Sequence, residues 1–217
     1  MAEVKLVVFD VGETLVDETR HWSEWADWLR VPRFTFMATL GFLIGAGRSH
    51  REVFPLVSPY GASEAASRRA AEGWRYDIRD VDLYPDALPC VSRLRRQGCQ
   101  VGVVGNQPVE CEDALRNLGI EADWYGSSAR WGVEKPSMAF FERIVEVARL
   151  APGQILYVGD HPANDIRPAH ACGLRTVLLR RGPWAIAHAS SCDAGLADLR
   201  IPSLDALPGA LEMMTLG

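Results

Sequence analysis

Val7 to Glu18 read VVFDVGETLVDE, and the fold turns on how that stretch is parsed. Val7, Val8 and Phe9 run straight into Asp10. An apolar run too short for an amphipathic helix, ending in a carboxylate, reads as a strand buried on both faces whose carboxyl end opens on a polar site. The strand extends back to Val4, giving residues 4–9, VKLVVF. Two positions past Asp10, where a second carboxylate would make an acid/base pair with it, the chain has Gly12.

Outward from that strand the same signal recurs. Residues 101–104 (VGVV), 155–158 (ILYV) and 175–179 (RTVLL) are short, apolar and rich in β-branched residues, so they too read as strands buried on both faces and hence parallel. Helical patterns lie between them. In DALPCVSRLRRQG, Leu88, Val91 and Leu94 fall at i, i+3, i+6 and Gly98 supplies a stop. In SMAFFERIVEVARLAPGQ, Ser137 is placed to cap, Phe140, Phe141, Ile144, Val147 and Ala148 share a face, and Pro152–Gly153 ends the helix. Strand alternating with helix predicts an α/β fold with a doubly wound parallel sheet.

Residues 18–80 break the rhythm. They hold no convincing buried strand, four of the seven tryptophans (Trp22, Trp25, Trp28 and Trp74) and an Ala/Arg/Glu-rich helix at 63–76. They read as a helical insertion covering the carboxyl end of the first strand, so that residues 1–17 and 81–217 form the core and 18–80 a cap. Trp22, Trp25 and Trp28 fall on one helical stripe, read as cap core with a substrate-facing wall as the alternative. Arg20, His21 and Arg48 are cap residues able to reach a ligand.

Composition narrows the function. The 217 residues are 48% hydrophobic, enough for a substantial core, and the formal charge of −5 leaves no basic footprint for nucleic acid. The five cysteines contain no CxxC pair, which fits reduced thiols in a cytoplasmic setting. The opening residues become charged too soon for a signal peptide. Phe34–Gly47, the longest uncharged stretch, is too short to span a bilayer and reads as a buried helix or hairpin segment. Of 23 basic residues only Lys5 and Lys135 are lysines, which draws attention to Lys135.

The predicted strands and loops end in polar residues: Asp10, then Gly105–Asn106–Gln107, Glu134–Lys135–Pro136, and Asp160 with Asp165 in GDHPAND. In a parallel sheet these carboxyl ends share one edge. Two carboxylates from separate strands and a backbone carbonyl suit a hard cation such as Mg²⁺. Lys135 offsets the remaining negative charge and holds an anionic group, and an Asp can serve as nucleophile beside the metal. His161, next to Asp160, reads as a loop-shaping residue because Mg²⁺ prefers oxygen.

FDVGETL, VVGNQ, EKP and GDHPAND, in that order, resemble the four motifs of the haloacid dehalogenase-like (HAD) hydrolase superfamily, with residues 18–80 in the place of its helical cap. The resemblance implies a Rossmann-like core. It implies that Asp10 is the nucleophile and a Mg²⁺ ligand, that the Gly12 carbonyl is a second ligand, and that Asp160 completes the metal site. Asp165 would ligate directly or through water. Lys135 would orient Asp10 and the transferred group, Thr14 would support the first loop, and Asn106 would contact substrate or order the second motif. Two positions depart from the family pattern. Gly12 stands where phosphatases carry the Asp that protonates the leaving group, and Gly105 where they carry a hydroxyl for the phosphoryl group.

Glu13 occupies a usual glycine position. Local pairing is its expected role, with general acid as the alternative. The expectation is a Mg²⁺-dependent hydrolase of a small phosphorylated metabolite, with weak or narrow activity and with the phosphoryl group lying by Asn106, Glu13 and Gly105. The alternatives are a non-catalytic protein that keeps the metal site, and a dehalogenase-type hydrolase. Dehalogenases carry a bulky aromatic residue at position 12. A phosphonatase is disfavoured because residues 18–80 contain no lysine.

Overall fold

Leu6–Phe9 (β1) is buried along its whole length, as its unbroken apolar run requires, and so lies inside a sheet. The structure, a computed structural model, describes residues 3–216. The other strands are Gln100–Gly105 (β2), Trp124–Ser127 (β3), Ile155–Gly159 (β4), Arg175–Leu179 (β5) and Leu199–Ile201 (β6). They form one sheet in the order β3-β2-β1-β4-β5-β6, with every pairing parallel. Phe9 is level with Val103 of β2 and Val158 of β4. Asp10, Gly105 and Asp160 therefore leave the sheet at one edge, at the point where the chain order reverses direction from β1. Ligands of doubly wound sheets bind in that crevice.

One face of the sheet, including Leu6, Val8, Val104, Ile155 and Tyr157, packs on Phe140, Phe141 and Ile144 of the helix Met138–Ala148. Ser137 takes the N-cap position there, but its side chain makes no capping bond. In the helix Ala87–Arg96 the buried residues are Ala87, Cys90, Val91 and Leu94. The buried stripe runs i, i+3, i+4, i+7 and leaves Leu88 39% exposed, so Leu88 does not belong to the predicted face. β3 and β6 escape the sequence reading. They are the two edges of the sheet, short and only partly buried, and their sequences WYGS and LRI lack the unbroken apolar run that marks β1.

The described chain divides into two compact units, one running up to Asp17 and resuming at Asp77, the other Glu18–Tyr76. The second is helical, with helices Thr19–Trp28, Arg33–Gly45, Val53–Val57 and Ala62–Ala71. The predicted helix at 63–76 thus stops at Ala71. The helix Arg33–Gly45 is not wholly buried: Phe36, Leu40, Leu43 and Ile44 are inside, whereas Phe34 and Phe42 are 86% and 65% exposed. Among the described residues no helix is long and apolar enough to cross a membrane.

The two leucines of Ala87–Arg96 give a test. Leu94→Ala should destabilise the protein by about 2–5 kcal/mol and Leu88→Ala by about 0.5 kcal/mol or less in urea unfolding. Equal losses would contradict the assigned face.

Candidate active site

The ladder pairing of β1 continues one residue past its end, where Asp10 N–H donates to the Val158 carbonyl at 2.9 Å. The chain then turns tightly. The Val11 carbonyl accepts from the N–H groups of Thr14, Leu15 and Val16 at 3.3, 2.9 and 3.0 Å. The turn places Glu13 at φ +53°, a conformation uncommon for a residue with a side chain. Asp10 itself is 7% exposed.

Lys135 reaches Asp10 from another loop. Its Nζ lies 2.6 Å from Asp10 Oδ1 and 2.7 Å from Asp165 Oδ1, and 3.2 Å from the Tyr157 hydroxyl. Asn106, just past β2, fixes the main chain of Lys135 with both ends of its amide. Oδ1 accepts from Lys135 N–H at 2.8 Å, and Nδ2 donates to the Lys135 carbonyl at 2.9 Å. Asn106 thus fixes the main chain of Lys135.

Asp160 follows β4 directly. Beyond it the chain makes a π-helical turn, Pro162–Ile166, which carries Asp165 back toward the strand, where Asp165 Oδ2 accepts from His161 N–H at 2.9 Å. Asp165 is fully buried and Asp160 2% exposed. Gly159 permits this return: a Cβ there would lie 2.7 Å from Asp165 Cβ. His161 shapes the loop, accepting from Asn164 N–H at Nδ1 (3.3 Å) and stacking on Trp184 at 5.6 Å.

Asp10, Asp160 and Asp165 each offer a carboxylate oxygen, and the three oxygens lie within 4.8 Å of one another. With all three ionised, Lys135 neutralises only one of the three charges. Asp160 Oδ2 is buried without a hydrogen-bond partner. Buried, unpaired negative charge is strongly unfavourable. An all-oxygen donor set with an orphaned carboxylate oxygen fits a hard divalent cation. The electrostatics agree. Burial, and then the charges of Asp165, Asp10 and Glu13, push the Asp160 carboxyl well above its usual range. Burial pushes Asp10 up to about 6, against the pull of Lys135. Burial by itself would lower Lys135, but Asp10 and Asp165 outweigh it and hold the ammonium well above the ordinary lysine value.

Gly105 offers no side chain, and a Cβ there would lie 2.9 Å from Asp10 Oδ1; the glycine leaves room for the carboxylate that Lys135 holds. Glu13 is buried, and its Oε2 accepts from the Tyr84 hydroxyl at 2.7 Å, a partner far away in sequence. Thr14 is fully buried beneath the loop. In the unit Glu18–Tyr76, Trp25 is buried while Trp22 and Trp28 are half-buried. Arg20 pairs with Glu24 at 2.6 Å, Arg48 pairs with Glu52, and His21 Nε2 accepts from Trp25 Nε1–H at 3.2 Å. Sequence reasoning missed Tyr157, hidden in an apolar run, and Tyr84 and Arg181, which no local motif marks.

A protein-family model for haloacid dehalogenase-like hydrolases matches residues 4–173. The glyceraldehyde 3-phosphate phosphatase of Methanopyrus kandleri is 29% identical over 204 residues, covering 83% of this chain and 86% of its own length. Among solved structures, the HAD phosphatase of Thermococcus onnurineus is 21% identical with a TM-score of 0.62, covering 96% of this chain and 98% of its own. The 2-haloacid dehalogenase of Pseudomonas syringae is 24% identical with a TM-score of 0.63, covering 97% and 99%. Phosphatase and dehalogenase thus share this fold, and the fold does not choose between them.

Gly159→Ala should force Asp165 out of place. The expected loss is about 1–3 kcal/mol in chemical denaturation; wild-type stability would show that the close approach is not needed.

Proposed function

The chain belongs to the haloacid dehalogenase-like hydrolase family, and on that footing we propose that it is a Mg²⁺-dependent hydrolase of small phosphorylated metabolites with Asp10 as nucleophile. One observation carries the reading: Asp10, Asp160 and Asp165 are buried together, the Lys135 ammonium touches Asp10 and Asp165, and an oxygen of Asp160 is left unpartnered. The phosphatase name of a relative matched over most of both chains supports phosphoryl over other transferred groups.

Mg²⁺ would be held by Asp10, Asp160, Asp165 and the Gly12 carbonyl, where it would neutralise charge on the phosphoryl oxygens and orient them. Lys135, 2.6 Å from Asp10 Oδ1, keeps the nucleophile ionised and aligned, and its positive charge faces the transferred group. A carboxylate oxygen of Asp10 bonds to phosphorus as the bond to the leaving oxygen breaks, and the leaving group departs with that electron pair. Water then attacks the aspartyl phosphate, releasing phosphate and restoring Asp10. Asn106 holds Lys135 through both steps.

Residue 12 supplies neither a proton donor for the first step nor a proton acceptor for the second. General acid/base help is worth about 10²- to 10⁴-fold, so turnover should depend steeply on how readily the leaving group departs without a proton. Acyl and aryl phosphates suit this site better than alkyl phosphates.

The test is a panel of phosphate compounds with Mg²⁺. Nitrophenyl and acetyl phosphate should be hydrolysed faster than glycerol phosphate by about 10²-fold or more, and Asp10→Asn should abolish all turnover. Gly12→Asp, which restores a carboxylate, should narrow the gap. A protein that turns over no member of the panel would contradict the reading.

A further inference from the structure

Arg181, just past β5, is a partly buried arginine whose side chain is 12% exposed. Both terminal nitrogens of its guanidinium and the flat face of the group are engaged in the same small region. Nη1 donates to the Thr14 carbonyl at 3.0 Å. Nη2 pairs with Asp86, whose Oδ2 also accepts from Leu204 N–H at 2.9 Å. The planar head lies 3.9 Å over the ring of Tyr84, and the hydroxyl of that ring donates to Glu13 Oε2 at 2.7 Å. Two segments far apart in sequence, 13–14 and 84–86, are thereby fixed on the one cation at 181. The next residue, Gly182, completes the seat at φ +67°; a Cβ on it would lie 2.7 Å from Glu13 Cβ.

The part of the chain so gripped is the turn that follows Asp10. Glu13 sits in the left-handed region at φ +53°, and a residue with a side chain stays there only when its surroundings over-determine it. Here they do: Tyr84 holds the end of the side chain, Gly182 gives its base room, and Arg181 holds the next carbonyl. Tyr84 N–H also donates to the Leu15 carbonyl at 3.0 Å, anchoring the far side of the turn. Gly12 lies immediately before Glu13, so the direction of its carbonyl is set by the same constraint. A lysine would keep the charge at 181 but cannot bond Thr14 and Asp86 together from a planar fork while stacking on a ring.

We propose that Arg181, with Tyr84, is a positioning residue that locks the turn Gly12–Thr14 and so aims the Gly12 carbonyl and Asp10 at a shared divalent cation. This rests on the metal-dependent reading above, and the experiment separates the two. Mn²⁺ is the probe. Its binding is read by electron paramagnetic resonance without substrate, in wild type, Arg181→Lys and Tyr84→Phe, alongside kcat and KM for nitrophenyl phosphate and the melting temperature. Removing outer partners of a metal site typically weakens affinity or activity by about 10- to 100-fold. Arg181→Lys should weaken Mn²⁺ binding and lower kcat within that range, with KM unchanged. Tyr84→Phe keeps the stack and loses only the bond to Glu13, so it should move the same quantities the same way at a near-wild-type melting temperature; it also serves if Arg181→Lys does not fold. Wild-type Mn²⁺ affinity in Tyr84→Phe, or losses that only track melting temperature, would overturn the inference. Should wild type bind Mn²⁺ yet hydrolyse nothing, the hydrolase reading falls, and the Mn²⁺ comparison still decides the role of Arg181.

Discussion

Lys135 places one ammonium between two carboxylates, 2.6 Å from Asp10 and 2.7 Å from Asp165, where almost no water reaches. Such a cluster is tolerable only when geometry is tight and remaining polar atoms are satisfied. Both conditions shape the surrounding chain. The Asn106 amide clamps the Lys135 main chain, Tyr157 lends its hydroxyl, and His161 N–H takes the second oxygen of Asp165. A compact ammonium fits between two close carboxylates where a flat guanidinium would not, which gives a physical reason for a lysine here in a chain otherwise built on arginine.

The sheet makes this meeting possible. β1 lies between β2 and β4, and the registers bring Phe9, Val103 and Val158 level. The residues that follow each strand emerge side by side, although about 150 positions separate Asp10 from Asp160 along the chain. Close packing does the rest. The absent Cβ atoms of Gly105 and Gly159 are what let Asp10 and Asp165 lie so near the strand ends.

The sequence is most legible where one physical cause dominates. β1, β4 and β5 are apolar runs buried on both faces, and a run of that kind has few other interpretations. Asp10 and Asp160 are legible because carboxylates at the ends of parallel strands imply a shared edge, and Lys135 and Asp165 because they lie in polar loop segments on the same side of the sheet. The edge strands β3 and β6 are not, because they are short and Trp124 and Tyr125 are half-exposed. The exposed Leu88 misleads because a leucine at helical spacing looks buried whether or not a partner faces it. Glu13 is the most instructive case. Its pairing follows from a backbone turn and from Tyr84 and Gly182, and none of these announces itself in the local sequence. Arg181 is likewise one of many arginines until coordinates show what it touches.

What distinguishes this site chemically is a well-built carboxylate cluster beside a position that carries no proton donor. The cluster leaves Asp160 with an unpartnered oxygen and a strongly raised proton affinity, as if designed to be completed by a cation. Equilibrium unfolding across a Mg²⁺ titration addresses that point directly. A cation bound only by the folded protein should raise stability by about 2.7 kcal/mol when its concentration reaches a hundred times its dissociation constant, and Asp160→Asn should lose that response. Stability indifferent to millimolar Mg²⁺ in the wild-type protein would contradict the account.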